Sequence, residues 1–274
     1  MKRIIYILPL LFASLIVKAQ QTENATDFEK FLANKRSDRT ERYEKWGPTR
    51  EGDRGFIVRA GYVIGGTAPL PIPKEIRKIN EFKPLGGVSI GVDGYKYFNT
   101  RWGLTGGLRF FYQGMHTGAD VKNYNMAITM GEDVVEGRFT GTDITDTRMA
   151  GLTIPVMATY RVGARWNLNL GIYFSSWFYK DFEGSVFNGY LREGDPTGQK
   201  ITISSENPAI YDFSENLNDW SYGVEFGVDF RATKHLNVFG LLDWGVRDVF
   251  QDDFETVAFK MFPIYATIGL AYYY

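Results

Sequence analysis

Eight stretches of the chain alternate apolar and polar residues with a period of two, and the connections between them alternate between tight turns and long polar segments. The stretches are Phe56 to Ile64, Val88 to Phe98, Trp102 to Gln113, Ala150 to Arg161, Trp166 to Phe178, Trp220 to Arg231, Leu236 to Arg247 and Phe262 to Tyr274. A strand points successive side chains to opposite faces, so each stretch predicts a strand with one greasy face and one polar face. In the last, Phe262, Ile264, Ala266, Ile268, Leu270, Tyr272 and Tyr274 share a face. In Trp220 to Arg231 one face is wholly apolar, while the other carries Glu225, Asp229 and Arg231.

Charge decides which face meets lipid. Across the apolar phase of all eight stretches the one charged residue is Lys96, which sits beside a predicted turn where its stem can snorkel. A lysine or arginine at mid-bilayer on a lipid face costs about 2–4 kcal/mol. The opposite phase holds Arg59, Asp93, Arg109, Arg161, Glu225, Asp229, Arg231, Asp243 and Arg247, whose charges nearly cancel. Those nine residues are the candidate site: an interior polar network inside a closed sheet. Lipid offers no hydrogen bonds to an open sheet edge, so the strands must close on themselves. The predicted fold is all-β: an eight-stranded antiparallel transmembrane up-and-down β-barrel with long extracellular loops.

Tight turns are expected near Asn99-Thr100, Val162 to Arg165 and Ala232 to Lys234, and long loops at Gly65 to Gly87, Gly114 to Met149, Tyr179 to Asp219 and Asp248 to Met261. Short periplasmic turns and long outer loops are the asymmetry of outer-membrane barrels. Aromatic residues of the lipid phase gather at both strand ends, Trp102, Tyr160, Trp166 and Phe230 at one and Tyr62, Tyr112, Phe178 and Trp220 at the other, as interfacial belts do. A soluble lipocalin-like barrel would turn its apolar phase inward, and the belts and the loop asymmetry favour lipid over that alternative.

Residues 1–19 read as a signal peptide, with Lys2 and Arg3 ahead of the apolar run Ile4 to Val17 and a small-residue cleavage site at Val17-Lys18-Ala19. Residues 20–53 are polar and charged and are expected to form a periplasmic leader, partly helical or disordered; 54–274 is the outer-membrane barrel. Without Lys2, Arg3 and Lys18 the 31 basic residues fall to 28 against 32 acidic ones, which argues against nucleic acid as a partner. The chain has no cysteine, which excludes disulfides and a lipidated amino-terminal cysteine. A mean hydropathy of −0.23 suits a barrel, because half of every strand is polar.

With Val17-Lys18-Ala19-Gln20, Leu152-Thr153-Ile154-Pro155-Val156 followed by Tyr160-Arg161, Asn169-Leu170-Gly171, and the closing Ile268-Gly269-Leu270-Ala271-Tyr272-Tyr273-Tyr274, the chain resembles the PorT-like eight-stranded outer-membrane barrels of Bacteroidetes. The resemblance implies the barrel fold from about Arg54 onward and a family some of whose members are tied to type IX secretion. The terminal aromatic looks like the signal read by the outer-membrane assembly machinery.

Eight strands enclose a space that side chains can fill, so the interior charges read as a plug rather than a pore; a small gated channel is an alternative. Catalysis on lipid A or other envelope substrates is the other. His116 and His235 are the two histidines, and no serine accompanies either as a nucleophile would. No enzyme activity, cofactor or metal site is expected: Asp252, Asp253 and Glu255, and Glu132 with Asp133, lack the spacing of a calcium loop. The expected partners are outer-membrane lipid, the assembly machinery, and an envelope protein or glycan bound through the long loops.

Overall fold

The computed structural model describes residues 52–274 apart from 131–132, 195–196, 255 and 258. The expected signal peptide and nearly all of the expected leader lie outside the described residues, as do Glu132 and Glu255. Eleven strands are present among the described residues: β1 (Arg54–Pro69), β2 (Ile76–Pro84), β3 (Gly87–Tyr97), β4 (Trp102–Met130), β5 (Asp133–Val162), β6 (Trp166–Glu193), β7 (Lys200–Ile203), β8 (Ala209–Asp212), β9 (Trp220–Arg231), β10 (Leu236–Gly245) and β11 (Met261–Tyr273). A short 3-10 turn covers Ser214–Asn216.

Eight of these strands form an antiparallel ring in chain order, β1, β3, β4, β5, β6, β9, β10 and β11. It closes where β1 pairs with β11, from Ile57↔Tyr273 to Pro69↔Met261. Every ring strand thus has two partners, which leaves no unpaired backbone edge in the hydrocarbon. The apolar phase faces outward, with Ile172 65% and Ile268 59% exposed, whereas Glu225 and Asp229 of the polar phase are 0% and 1% exposed. At the periplasmic rim Trp102 packs on Tyr160 at 4.6 Å and Trp166 on Phe230 at 4.7 Å between ring centroids.

The long segments differ from the expectation. Gly114 to Met149, expected as a loop, is sheet: β4, β5 and β6 run 29, 30 and 28 residues, where about 9–11 cross a membrane. Part of Tyr179 to Asp219 is also sheet, as the end of β6 with β7 and β8; β7 falls where the alternation in Lys200 to Ser204 suggests sheet above the membrane, and β2 fills part of Gly65 to Gly87. The physical reason is an inversion of phase. Within the bilayer β4 turns Leu104, Leu108, Phe110 and Tyr112 outward and buries Thr105, Arg109 and Gln113; above it, the same strand buries Met115, Ala119 and Val121 and turns His116 and Asp120 outward. Lipid rewards an apolar exterior, and water rewards an apolar interior.

The protruding edges are covered. β2 pairs with β4 from Ile76↔Val121 to Pro84↔Met115. On the far side, β8 and β7 pair with β6 beyond the reach of β9, and β8 also touches β4 at Thr129↔Ile210. Inside this lobe lies the larger apolar core, including Met126, Ile128, Phe139, Val186, Leu191, Ile203 and Leu217.

Candidate functional site

In the membrane-spanning lumen the polar phase converges on one ion-pair chain. Arg59 on β1 donates from Nε to Asp93 Oδ2 on β3 at 2.7 Å and from Nη1 to Asp229 Oδ1 on β9 at 2.6 Å. Arg109 on β4 donates from Nη2 to Asp93 Oδ2 at 2.7 Å and from Nη1 to Glu225 Oε1 on β9 at 2.8 Å. Asn169 Nδ2 adds a bond to Asp229 Oδ2 at 2.5 Å. The chain therefore runs from β9 through β1, β3 and β4 and back to β9, across the lumen. Gly107 makes room for it, since a Cβ there would collide with the Asp93 carboxylate.

The other expected members lie at its margins. Asp243 faces Glu225 across the β9–β10 ladder, and its Oδ1 has no hydrogen-bond partner among the described residues. Arg161 stands at the periplasmic mouth with its guanidinium 4.6 Å from the centre of the Tyr97 ring, and Arg231 is paired with Asn237 in the ladder near the same rim. Arg247 is a correction: it is not in the interior network. The strand β10 ends at Gly245, so the period-two argument stops there. Arg247 instead donates to Asn218 Oδ1 at 2.8 Å and lies over Trp220, 3.5 Å from the ring centre.

Around the ion pairs the lumen is filled by Phe111, Tyr173, Trp177, Phe239 and Tyr265, all buried. A cavity of about 30 Å³ remains, lined by Arg109, Ser221, Asp243 and Tyr265 among others. That is about the room of one water molecule.

Above the lumen, β8 folds Tyr211 and the following segment folds Phe213 back into the lobe. Tyr211 donates its hydroxyl proton to Asp143 Oδ1 at 2.9 Å and lies 2.7 Å from Thr145 Oγ1. Phe213, Phe250 and Phe254 cluster beside it, with centroids 5.0 to 6.4 Å apart. Next to Asp143 opens a cavity of about 240 Å³ lined mainly by apolar groups, among them Leu70, Ile76, Phe82, Ala119, Val121, Tyr124 and Met261. Burial pushes the Asp143 carboxyl up to about 7, against the opposing hydrogen bond from Tyr211. Burial next to the same carboxylate also holds the Tyr124 and Tyr211 hydroxyls above the ordinary phenol range. Asp143 and Tyr211 are absent from the sequence expectations. The available signal is the period of two carried down β5 from Met149 through Thr147 and Thr145, which puts Asp143 on the inner face.

The histidines take structural positions. His116 Nδ1 is 2.9 Å from Asp146 Oδ1 and its Nε2 is 3.6 Å from Glu81 Oε2, on the outer face of the lobe. Among the described residues no hydroxyl is bonded to its ring. His235 Nδ1 is 2.9 Å from the Tyr273 carbonyl oxygen at the periplasmic rim.

Among solved structures the chain is similar to Ail of Yersinia pestis (10% identity, 82% of this chain and 99% of that one, TM-score 0.33), to the Neisserial surface protein A (11%, 81% and 99%, TM-score 0.33) and to CarO2 of Acinetobacter baumannii (14%, 80% and 98%, TM-score 0.36). No curated protein sequence matches it. The family model described as the outer membrane protein beta-barrel domain matches residues 19–251, most of the chain, so the protein belongs to that barrel family and resides in the bacterial outer membrane.

Proposed function

We propose that the protein is a non-catalytic outer-membrane barrel with a plugged lumen, whose extracellular lobe binds a ligand or a component of an envelope complex. One observation carries the reading: a lobe with its own buried core and covered strand edges stands above a lumen crossed by ion pairs. Ordering so much sheet outside the bilayer costs conformational entropy that a bare membrane anchor has no need to spend, and long extracellular elements commonly carry recognition. The residue motifs shared with PorT-like barrels of Bacteroidetes support a place in an envelope assembly, including one that serves secretion.

Two measurements test this. In planar bilayers the refolded protein gives no steady conductance; a stable ohmic current from the wild type would sink the plug. On intact cells, surface cross-linking recovers a reproducible partner with the full chain and loses it when residues 122–139 are replaced by a short turn. Recovery unchanged by that shortening would assign the lobe no binding role. A second reading comes from the cavity beside Asp143, whose size and apolar lining suit a small, largely apolar molecule.

A further inference from the structure

We propose that the outer face of the lobe is a binding site for a polyanionic saccharide from outside the cell, held by a row of three cations, Arg138, Arg192 and Lys200. This names a ligand class for the binding reading above and rests on it for the extracellular placement of the lobe.

The row follows from register. Arg138 on β5 is directly opposite Arg192 on β6, and Arg192 is directly opposite Lys200 on β7. Directly opposite residues share a face with their Cβ atoms about 4.5–5.5 Å apart, and like charges so placed destabilise a sheet. The opposite face at this level is apolar core, with Phe139, Leu191 and Ile203 buried, so the row points to solvent. Arg192 and Lys200 both lean on the Tyr190 ring, at 5.7 and 4.4 Å from its centre.

The row borders a groove of about 420 Å³. Lys74, Arg77 and Lys122 join Arg138 and Arg192 in lining it, and Glu75 is the one carboxylate there among the described residues. None of these cations forms an ion pair among the described residues, although the chain has 32 acidic against 31 basic residues. Composition therefore does not account for the cluster. A sequence free to improve stability would place a carboxylate in this row; a polyanion supplies the missing charges from outside.

Position selects the source. Lys122 is ten residues beyond Tyr112, the last lipid-facing residue of β4. At about 3.3 Å per residue and a tilt near 45°, that places the groove roughly 20 Å above the bilayer surface. Headgroup phosphates of the host membrane lie below it. Thr140 and Asn123 at the same groove offer neutral hydrogen-bonding groups suited to sugar hydroxyls, and Tyr190 offers a ring face.

The test uses the full chain in lipid nanodiscs, titrated with fluorescent dextran sulfate and with neutral dextran of equal length. The expected result is saturable, salt-sensitive binding of the sulfated polymer alone. The variant Arg138→Gln/Arg192→Gln/Lys200→Gln weakens it at least about tenfold, whereas Lys78→Gln/Lys83→Gln/Lys260→Gln, with the same change in net charge, stays within about twofold. Removing opposed like charges relieves repulsion and offsets the lost Arg192–Gly198 bond and Tyr190 contacts; urea unfolding of the first variant, expected to match wild type, shows that lost binding is not lost folding. Equal losses in the two variants, binding of neutral dextran, or no saturable binding overturns the proposal. So does competition by lipopolysaccharide placed in the same nanodisc, which would give the groove to the cell's own envelope. Failure here leaves the cross-linking result on the shortened hairpin standing, which separates the two readings.

Discussion

Arg59 and Asp229 are 170 residues apart in the chain and meet at 2.6 Å in the centre of the lumen. Arg59 is 2% exposed and Asp229 1%. Without Asp229 the buried Arg59 keeps only Asp93, which it shares with Arg109, and breaking a buried pair costs up to about 3–5 kcal/mol. Asp229→Asn is therefore expected to lower the free energy of unfolding of the refolded barrel by up to that amount, read from urea unfolding followed by tryptophan fluorescence. The double variant Arg59→Met/Asp229→Leu should recover much of it, because both charges leave together and Arg109 still pairs with Asp93 and Glu225. A double variant as damaged as the single would show that the loss is one of packing.

Glu225 and Asp243 face each other, yet their substitution effects should differ. Glu225 accepts from Arg109 at 2.8 Å, so Glu225→Gln leaves an amide oxygen as acceptor but removes the ion pair, at a cost of about 1.5–3 kcal/mol. Each of the two carboxylates carries one oxygen without a partner among the described residues, but Asp243 has no cation bonded to it there and opposes a carboxylate across the ladder. Asp243→Asn removes that repulsion and should be neutral or stabilising in the same unfolding assay. Equal destabilisation by both would contradict the assigned pairing.

The lobe should weaken as pH rises. The Asp143 carboxyl is raised from 3.8 to about 7 by burial, so between those values the folded state binds more protons than the unfolded one, and stability falls with increasing pH. It is full below about 4 and is lost progressively up to about 7, with a maximum span of roughly 4 kcal/mol. Protection of the β4 and β5 amides above the bilayer, after correction for the base-catalysed rise of intrinsic exchange with pH, reads this. Asp143→Asn should flatten the profile, and a slope of opposite sign would overturn the assignment.

The two apolar surfaces should answer differently to the same truncation. Leu191 is fully buried in the lobe, and Leu191→Ala is expected to cost about 2–5 kcal/mol there, seen as faster exchange of β6 above the membrane with the barrel still resistant to heat in detergent. Leu170 is 53% exposed on the lipid face. Leu170→Arg should cost about 2–4 kcal/mol in bilayer-based unfolding while the lobe keeps its protection.

Most of the barrel was readable from the amino-acid order alone. The period of two is local, lipid penalises charge on one face, and the tight turns at 98–101 and 163–165 punctuate the pattern without reference to the rest of the chain. Membership of the lumen was readable for Arg59, Asp93, Arg109, Glu225 and Asp229 for the same reason. Which of them pair was not. Asp93 is shared by Arg59 and Arg109, and that choice depends on ring closure between β1 and β11, a contact between the two ends of the barrel sequence. Arg247 escaped the rule because its strand ends two residues earlier.

Above the bilayer the solvent changes, and the pattern inverts with it: Met115 and Val121 turn inward on the strand that carries Leu108 outward. A reading that expects one apolar exterior throughout sees these segments as loops. The Asp143–Tyr211 bond joins β5 to β8, and the row Arg138, Arg192, Lys200 joins three strands. Alternation along one strand assigns each residue a face. Only pairing between strands decides which side chains share it, because register is set by contacts far apart in the chain.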